Sequence, residues 1–402
     1  MRTLSRLSRS SFSAAAGALK RSPLHDVHIG AGGKLVGFAG WELPVQYAGA
    51  GVMAETLHTR EAASIFDLRV HGPRDARVKF LEGICVGSIG ALKPDQGQYT
   101  LLTNESGGII DDAVFVNRES HTHIVCNAAC SEKDIAHLTE QISVFNKANG
   151  GSQTVELEII SDQALVAVQG PYAEQLVAGV VDKPGDRDAL RNLSFFYSAN
   201  LTLAGAECIV SRSGYTGEDG FEISIPIPSS RQVVDELLHD QKCKLAGLGA
   251  RDALRLEAGL CLYGHDLDDT TTPIEAGLAW AIGKRRRKEG GFLGDGTILA
   301  QLNGTSPVTR TRVGLVIDGA PAREGAEIVS ENGSEVGCIT SGGFSPVLKR
   351  PIAMGYISTD ESSEPGHSLG VRVRGKVYSA KVSELPFVPT KYVKKLKPKS
   401  KT

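Results

Sequence analysis

The character of the chain changes once, after the Gly- and turn-rich stretch from Gly290 to Ser306, and nothing else in it limits the fold as strongly. Downstream come only short alternating runs, RVGLVI, AEIVS, EVGCITSG, AMGYIS, LGVRVRG and KVYSAKVS. They predict a small β-barrel or sandwich domain over 306–392. Upstream, two periodicities are mixed. Met53 to Ala63, Ser131 to Ala148, RQVVDELLHDQKC and GARDALRLEAGLCLYG place apolar residues three and four apart, as amphipathic helices do. YTLLTN, DDAVFVN, HIVCNAA, ALVAVQG and CIVSRSG read as strands of one mixed sheet. Strand and helix do not alternate strictly, so the region 26–300 is expected to be α+β without a doubly wound sheet.

The two ends differ from the middle. Residues 1–25 carry Arg2, Arg6, Arg9, Lys20 and Arg21 among Ser, Ala and Leu, and the first acidic residue is Asp26. Spread arginines without a continuous apolar segment predict a mitochondrial transit peptide and a matrix location. Without those five charges the net charge moves from −2 to −7, which gives the remaining chain no general reason to hold nucleic acid. No stretch approaches the roughly 18 uninterrupted apolar residues of a membrane span, so membrane insertion is not expected. Residues 393–402 hold Lys394, Lys395, Lys397, Lys399 and Lys401 with no acid and are expected to be a flexible basic tail. The seven cysteines fall singly except Cys126 and Cys130, a half-site without a second Cys/His cluster at ligand-like spacing, and they read as buried structural thiols. Gly33-Lys34 is followed by Leu35, which excludes a phosphate-binding loop there.

Three clusters carry candidate chemistry. In Asn104-Glu105-Ser106-Gly107-Gly108-Ile109-Ile110-Asp111-Asp112 a turn feeds a strand that opens on two carboxylates. Neighbouring strand residues face opposite ways, so only one of the pair can enter a pocket, and the spacing leaves open which. The second cluster, SRSGYTGEDGFE, packs glycines and charges ahead of an apolar strand. Its Glu222 can accept two hydrogen bonds from a planar heterocycle with an amino group beside a ring N–H, as in a pterin. In the third, GARDALRLEAGL, Arg251 lies in the first helical turn, where a guanidinium can fork onto a ligand carboxylate or carbonyl, while Arg255 and Glu257 read as helix-surface ion pairs.

The segments FAGWELPVQY, TNESGGIIDDAVF, SGYTGEDGFEI, GARDALRLEAGLCLYG, TTPIEAGLAWAIGKRRR, ITSGGFSPVLK and LPFVPTKY, in this order from about Pro23 to Tyr392, resemble the T-protein family of the glycine cleavage system. The resemblance implies three domains around a central folate channel, two interleaved α+β domains and a C-terminal barrel. It implies an aminomethyltransferase that takes the methylene carbon of an aminomethyl group on the lipoyl arm of the H-protein and passes it to tetrahydrofolate as co-substrate, without metal or flavin. It assigns the catalytic role to Asp112, with Asp111 structural, and ligand contacts to Glu222, Arg251 and Tyr392. Tyr99 and Asn127 match pocket-lining positions less specifically. One departure is Phe66-Asp67-Leu68-Arg69-Val70-His71 where the family reads Phe-Asp-Val-Ser-His-Met, which puts an imidazole in place of a pocket-wall methionine. The run Lys284-Arg285-Arg286-Arg287-Lys288 suits docking of an acidic carrier. A related folate-binding assembly factor for iron–sulfur proteins would show a KGCYxGQE-type motif, which is missing. A folate-dependent demethylase would add a dinucleotide-binding half, also missing.

Overall fold

A computed structural model describes residues 19–38, 40–48, 51–58, 66–151 and 153–395. Most of the leader and residues 396–402 of the basic tail lie outside these residues, as does part of the helix expected over Met53 to Ala63, of which Val52–His58 is helical.

The strands upstream of residue 300 form three sheets instead of the single mixed one expected. Lys20–Arg21, Trp41–Tyr47 and Gly33–Phe38 make a small sheet in that order. The second is five-stranded and antiparallel, in the order Gly97–Thr103, Ile109–Asn117, His121–Cys126, Phe66–His71, Glu156–Ile159. The third is four-stranded and antiparallel, Ser198–Leu203, Ala206–Ser211, Gly220–Pro226, Gln163–Gln169. Each of the two larger sheets buries one face under helices. The helix Ser131–Ala148 presents Ile135, Leu138, Ile142 and Phe145 at helical spacing to the core beneath the five-stranded sheet, which it shares with the helix Arg74–Ile84. Leu138 is fully buried there, a contribution of about 1.5–3 kcal/mol. The helices Ala173–Gly179 and Ile227–Leu238 cover the four-stranded sheet in the same way. The faces left free by the helices border a common cleft.

The C-terminal strands close into a six-stranded barrel, Arg310–Asp318, Arg350–Ser358, Glu335–Ser345, Glu327–Val329, Ser368–Val373 and Lys376–Ser383, with the first and last strands paired. Its interior holds Val313, Leu315, Ile339, Ile357 and Val371. The barrel is tied to the rest by the helix Leu248–Glu257. Arg255, 3% exposed, meets Asp252, Asp266 and the hydroxyl of Ser341, and Glu257 accepts from Ser345 Oγ and the Val347 amide. Both residues are therefore buried anchors between helix and barrel. The helix pair expected of Arg255 does form, with Asp252, but Arg255 is buried and also reaches Asp266 and Ser341, and Glu257 turns to the barrel through Ser345 and Val347.

Candidate active site

The turn from Asn104 to Gly108 fixes where the catalytic strand begins. Asn104 Oδ1 accepts from the amides of Ser106 and Gly108, and its Nδ2 donates to the Asp269 carbonyl at 2.8 Å. A Cβ on Gly108 would sit 1.8 Å from that same carbonyl oxygen, so only glycine admits the contact. From this start the strand Ile109–Asn117 alternates. Asp111, Ala113 and Phe115 enter the helix-covered core, whereas Val114 and Val116 line the cleft, and Asp112 shares their side. The cleft between the two larger sheets is bordered by Val114, Val125, Leu165, Phe196, Ser213 and Glu222 among others.

Asp112 is held by Asn127 and Tyr99, the two residues that match the family's pocket-lining positions less specifically. Asn127 Nδ2 donates to its Oδ1 at 2.8 Å, and the Tyr99 hydroxyl hydrogen-bonds its carboxylate. Burial first, and the neighbouring Asp111 carboxyl second, raise Asp112 to about 7. Burial and the Asp112 charge likewise hold the Tyr99 phenol well above its ordinary value, so it stays a donor. The Tyr99 ring stacks on Trp280 at 5.3 Å.

Facing elements supply the polar groups. Glu222 pairs with Ser211 across the sheet and accepts from Ser213 Oγ at 2.6 Å. The half-buried Arg251 guanidinium stacks over the Tyr215 ring at 4.8 Å and makes no hydrogen bond or ion pair to the described residues. Tyr215 donates to the Cys261 carbonyl and lies in electrostatic range of both Arg251 and Asp112. Only its place inside the GYTGEDGFE motif marked it in the sequence.

The model of the GCVT N-terminal domain matches residues 24–286, and that of the glycine cleavage T-protein C-terminal barrel domain matches residues 310–389. The chain belongs to the glycine cleavage T-protein family. Its relatives include the mitochondrial aminomethyltransferase of Dictyostelium discoideum, 45% identical over 389 residues that cover 94% of either chain, and that of Homo sapiens, 46% identical over 381 residues, 93% of this chain and 91% of the relative. The crystal structure of the glycine cleavage system aminomethyltransferase T from Bartonella henselae superposes with a TM-score of 0.83 at 35% identity, over 94% of this chain and all of that one. This T-protein is thus an α+β transferase of the aminomethyltransferase class.

Other sequence expectations for this T-protein meet the structure less directly. Tyr392 stacks on Phe195 at 4.1 Å, and the next residue, Phe196, lines the cleft, which brings Tyr392 close to the cleft wall. The Phe195 amide donates to the Val393 carbonyl, and Lys395 donates to Ser194 Oγ, so the first residues of the basic tail are docked and not free. His71 does not reach Asp112. It sits at the far end of its strand, against the His121 ring and with its Nε2 2.7 Å from Glu158. The basic run is mostly consumed internally: Arg285 pairs with Glu82 and Glu289, the buried Arg286 bonds the carbonyls of Glu82 and Gly291, and Arg287 bonds those of Ile282 and Ala279. Lys284 and Lys288 are left as its exposed cations. Cys126 and Cys130 are buried, and Asp111, Cys126 and Asp134 each bring one potential ligand atom within 4.8 Å of the others.

Proposed function

We propose that this T-protein transfers the methylene of an aminomethyl group carried on the lipoyl arm of the H-protein to tetrahydrofolate, with Asp112 as the catalytic carboxylate. The carbon–sulfur bond breaks and its electron pair leaves on sulfur. One folate nitrogen bonds the methylene carbon, and the second then closes the ring as ammonia departs. The two protons lost by the folate nitrogens balance those gained by the thiolate and the leaving amine.

The observation that carries this reading is a buried carboxyl held by Asn127 and Tyr99 on the cleft side of its strand, with a proton affinity near neutrality, linked through Tyr215 to an arginine that makes no ion pair to the described residues. An ionised Asp112 stabilises positive charge that develops as carbon–sulfur cleavage and nitrogen attack proceed, and electrostatic terms of this kind typically supply about 10²–10³-fold in rate. Glu222 suits the amino-pyrimidine edge of a pterin, and Arg251 suits a carbonyl or carboxylate of the same ligand. The residues present fit tetrahydrofolate for these reasons. Asp111 serves as a structural partner of Asn127. The exposed Trp280 beside Tyr99, with Lys284 and Lys288 nearby in the chain, offers the carrier protein an apolar contact flanked by positive charge.

The matrix location rests on the basic leader and on the mitochondrial names of the relatives. The pairing of Lys20–Arg21 with Trp41–Glu42 supports a leader that ends before Leu19, short of the 25 residues expected from composition. Steady-state kinetics with tetrahydrofolate and aminomethylated H-protein test the site. Arg251→Ala and Glu222→Gln are expected to raise KM for tetrahydrofolate at least tenfold, about 1.4 kcal/mol or more, whereas unchanged KM in both would remove them from the folate site.

A further inference from the structure

Asn127 is a bridge, and what holds it lies on the hidden side of the sheet. Its Nδ2 reaches Asp112 Oδ1 at 2.8 Å and Asp111 Oδ1 at 2.9 Å, and its backbone amide donates to Asp111 Oδ2 at 3.1 Å. The amide plane that serves Asp112 is therefore set by Asp111. Behind Asp111 stands Asp134, in the first turn of the helix Ser131–Ala148 and 0% exposed. No N–H or hydroxyl donor reaches either of its oxygens. Its neighbours are the Asp111 carboxyl and the Cys126 thiol, with Cys130 close by. Lys133, the adjacent cation, turns instead to the Tyr263 hydroxyl at 2.6 Å.

Two carboxyls in contact inside a core without a cation do not both ionise, because the repulsion and the lost hydration add. Asp111 accepts two N–H bonds and Asp134 accepts none, so the anion belongs on Asp111 and the proton on Asp134. We propose that Asp134 is a positioning residue of the transferase: neutral at working pH, it donates to the Asp111 carboxylate, which in turn holds the Asn127 amide against Asp112. This rests on Asp112 being the catalytic carboxylate. Burial and the Asp111 charge push Asp134 to about 10, which keeps the donor in place across the range in which Asp112 titrates.

The test compares Asp134→Asn, Asp134→Leu and Asp112→Asn in the full-length enzyme, with kcat and KM for tetrahydrofolate followed from pH 5.5 to 9. Asp134→Asn keeps a neutral donor, and its kcat is expected within about threefold of the parent. Asp134→Leu removes the donor, so Asp111 takes up a proton more readily and both Asp111 and Asp112 must ionise for turnover. Its kcat is expected to fall at least tenfold with KM unchanged, and the acidic limb of its pH profile is expected to steepen from one proton towards two. An infrared spectrum at pH 8 supplies a readout that does not depend on activity or on the Leu variant folding: a protonated-carboxyl band present in the parent and missing in Asp134→Asn. Equal loss of kcat in the Asn and Leu variants, an unchanged acidic limb in Asp134→Leu, or absence of the infrared band overturns the proposal. So does a stoichiometric divalent metal in the purified enzyme, since the metal would occupy the place of the shared proton. An active Asp112→Asn enzyme would instead remove the reading of Asp112, and the infrared arm keeps the two failures apart.

Discussion

At the scale of the residue, Asp112 works under a tension between stability and function. Its proton affinity is raised to about 7 in the folded protein against 3.8 for an ordinary aspartate, so the folded state binds a proton more tightly than the unfolded one. Ionising Asp112 therefore costs stability as pH rises through that window. Asp112→Asn is expected to melt above the parent at pH 8, with the difference gone by pH 4, and a melting temperature lower than the parent's at pH 8 contradicts this. The same ionisation sets activity, so kcat is expected to fall about tenfold per unit as pH drops below 7 in the parent enzyme. The strand pleat made it legible in the sequence that one of Asp111 and Asp112 faces inward, because alternation is local. Asp134 was not legible, since its meaning depends on a helix that packs its first turn beneath a strand more than twenty residues earlier. Arg255 and Glu257 were misread for the same reason, their barrel partners lying 86 to 90 positions downstream.

Among the elements, the loop that starts the Asp112 strand carries the least tolerance. Gly108→Ala drives a methyl into the Asp269 carbonyl, which sits on a segment 161 positions away, and neither backbone can yield without losing the Asn104 turn. A destabilisation of about 4 kcal/mol or more is expected, read as a fall of about 5 °C or more in melting temperature, and a fall under about 1 °C would show that the loop adapts. Removing the Arg255 guanidinium by Arg255→Met leaves Asp266 buried without its cation and is expected to cost about 3–5 kcal/mol in the same measurement. The individual strands and helices could be read from periodicity, and the barrel from its unbroken series of short strands. The division of the upstream strands into three sheets could not, because it is fixed by helices covering one face of each larger sheet and by pairings such as Phe66–His71 with His121–Cys126 across some fifty residues.

Across the whole molecule, the chain returns at its end to brace the cleft. Lys391 donates its amide to the Gly217 carbonyl and its ammonium to Glu218, and Tyr392 stacks on Phe195 beside the cleft wall. Truncation after Thr390 is expected to leave the barrel folded while raising KM for tetrahydrofolate several-fold, and an unchanged KM would make the strap dispensable. At the other end, Edman sequencing of the protein recovered from mitochondria is expected to begin at or before Leu19, since a start at Asp26 would discard the strand that pairs with Trp41. The segments that carry the family resemblance were visible in the sequence. The walls of the cleft could not be read from periodicity, because they come from two separate sheets that meet only through edge contacts such as the Gly97 amide on the Phe196 carbonyl. The most direct test of the account is single-turnover formation of 5,10-methylenetetrahydrofolate from tetrahydrofolate and aminomethylated H-protein, with parent and Asp112→Asn enzymes side by side at pH 7.5. The account predicts turnover that requires both substrates and falls at least a hundredfold in the variant. Equal rates in the two enzymes would contradict it.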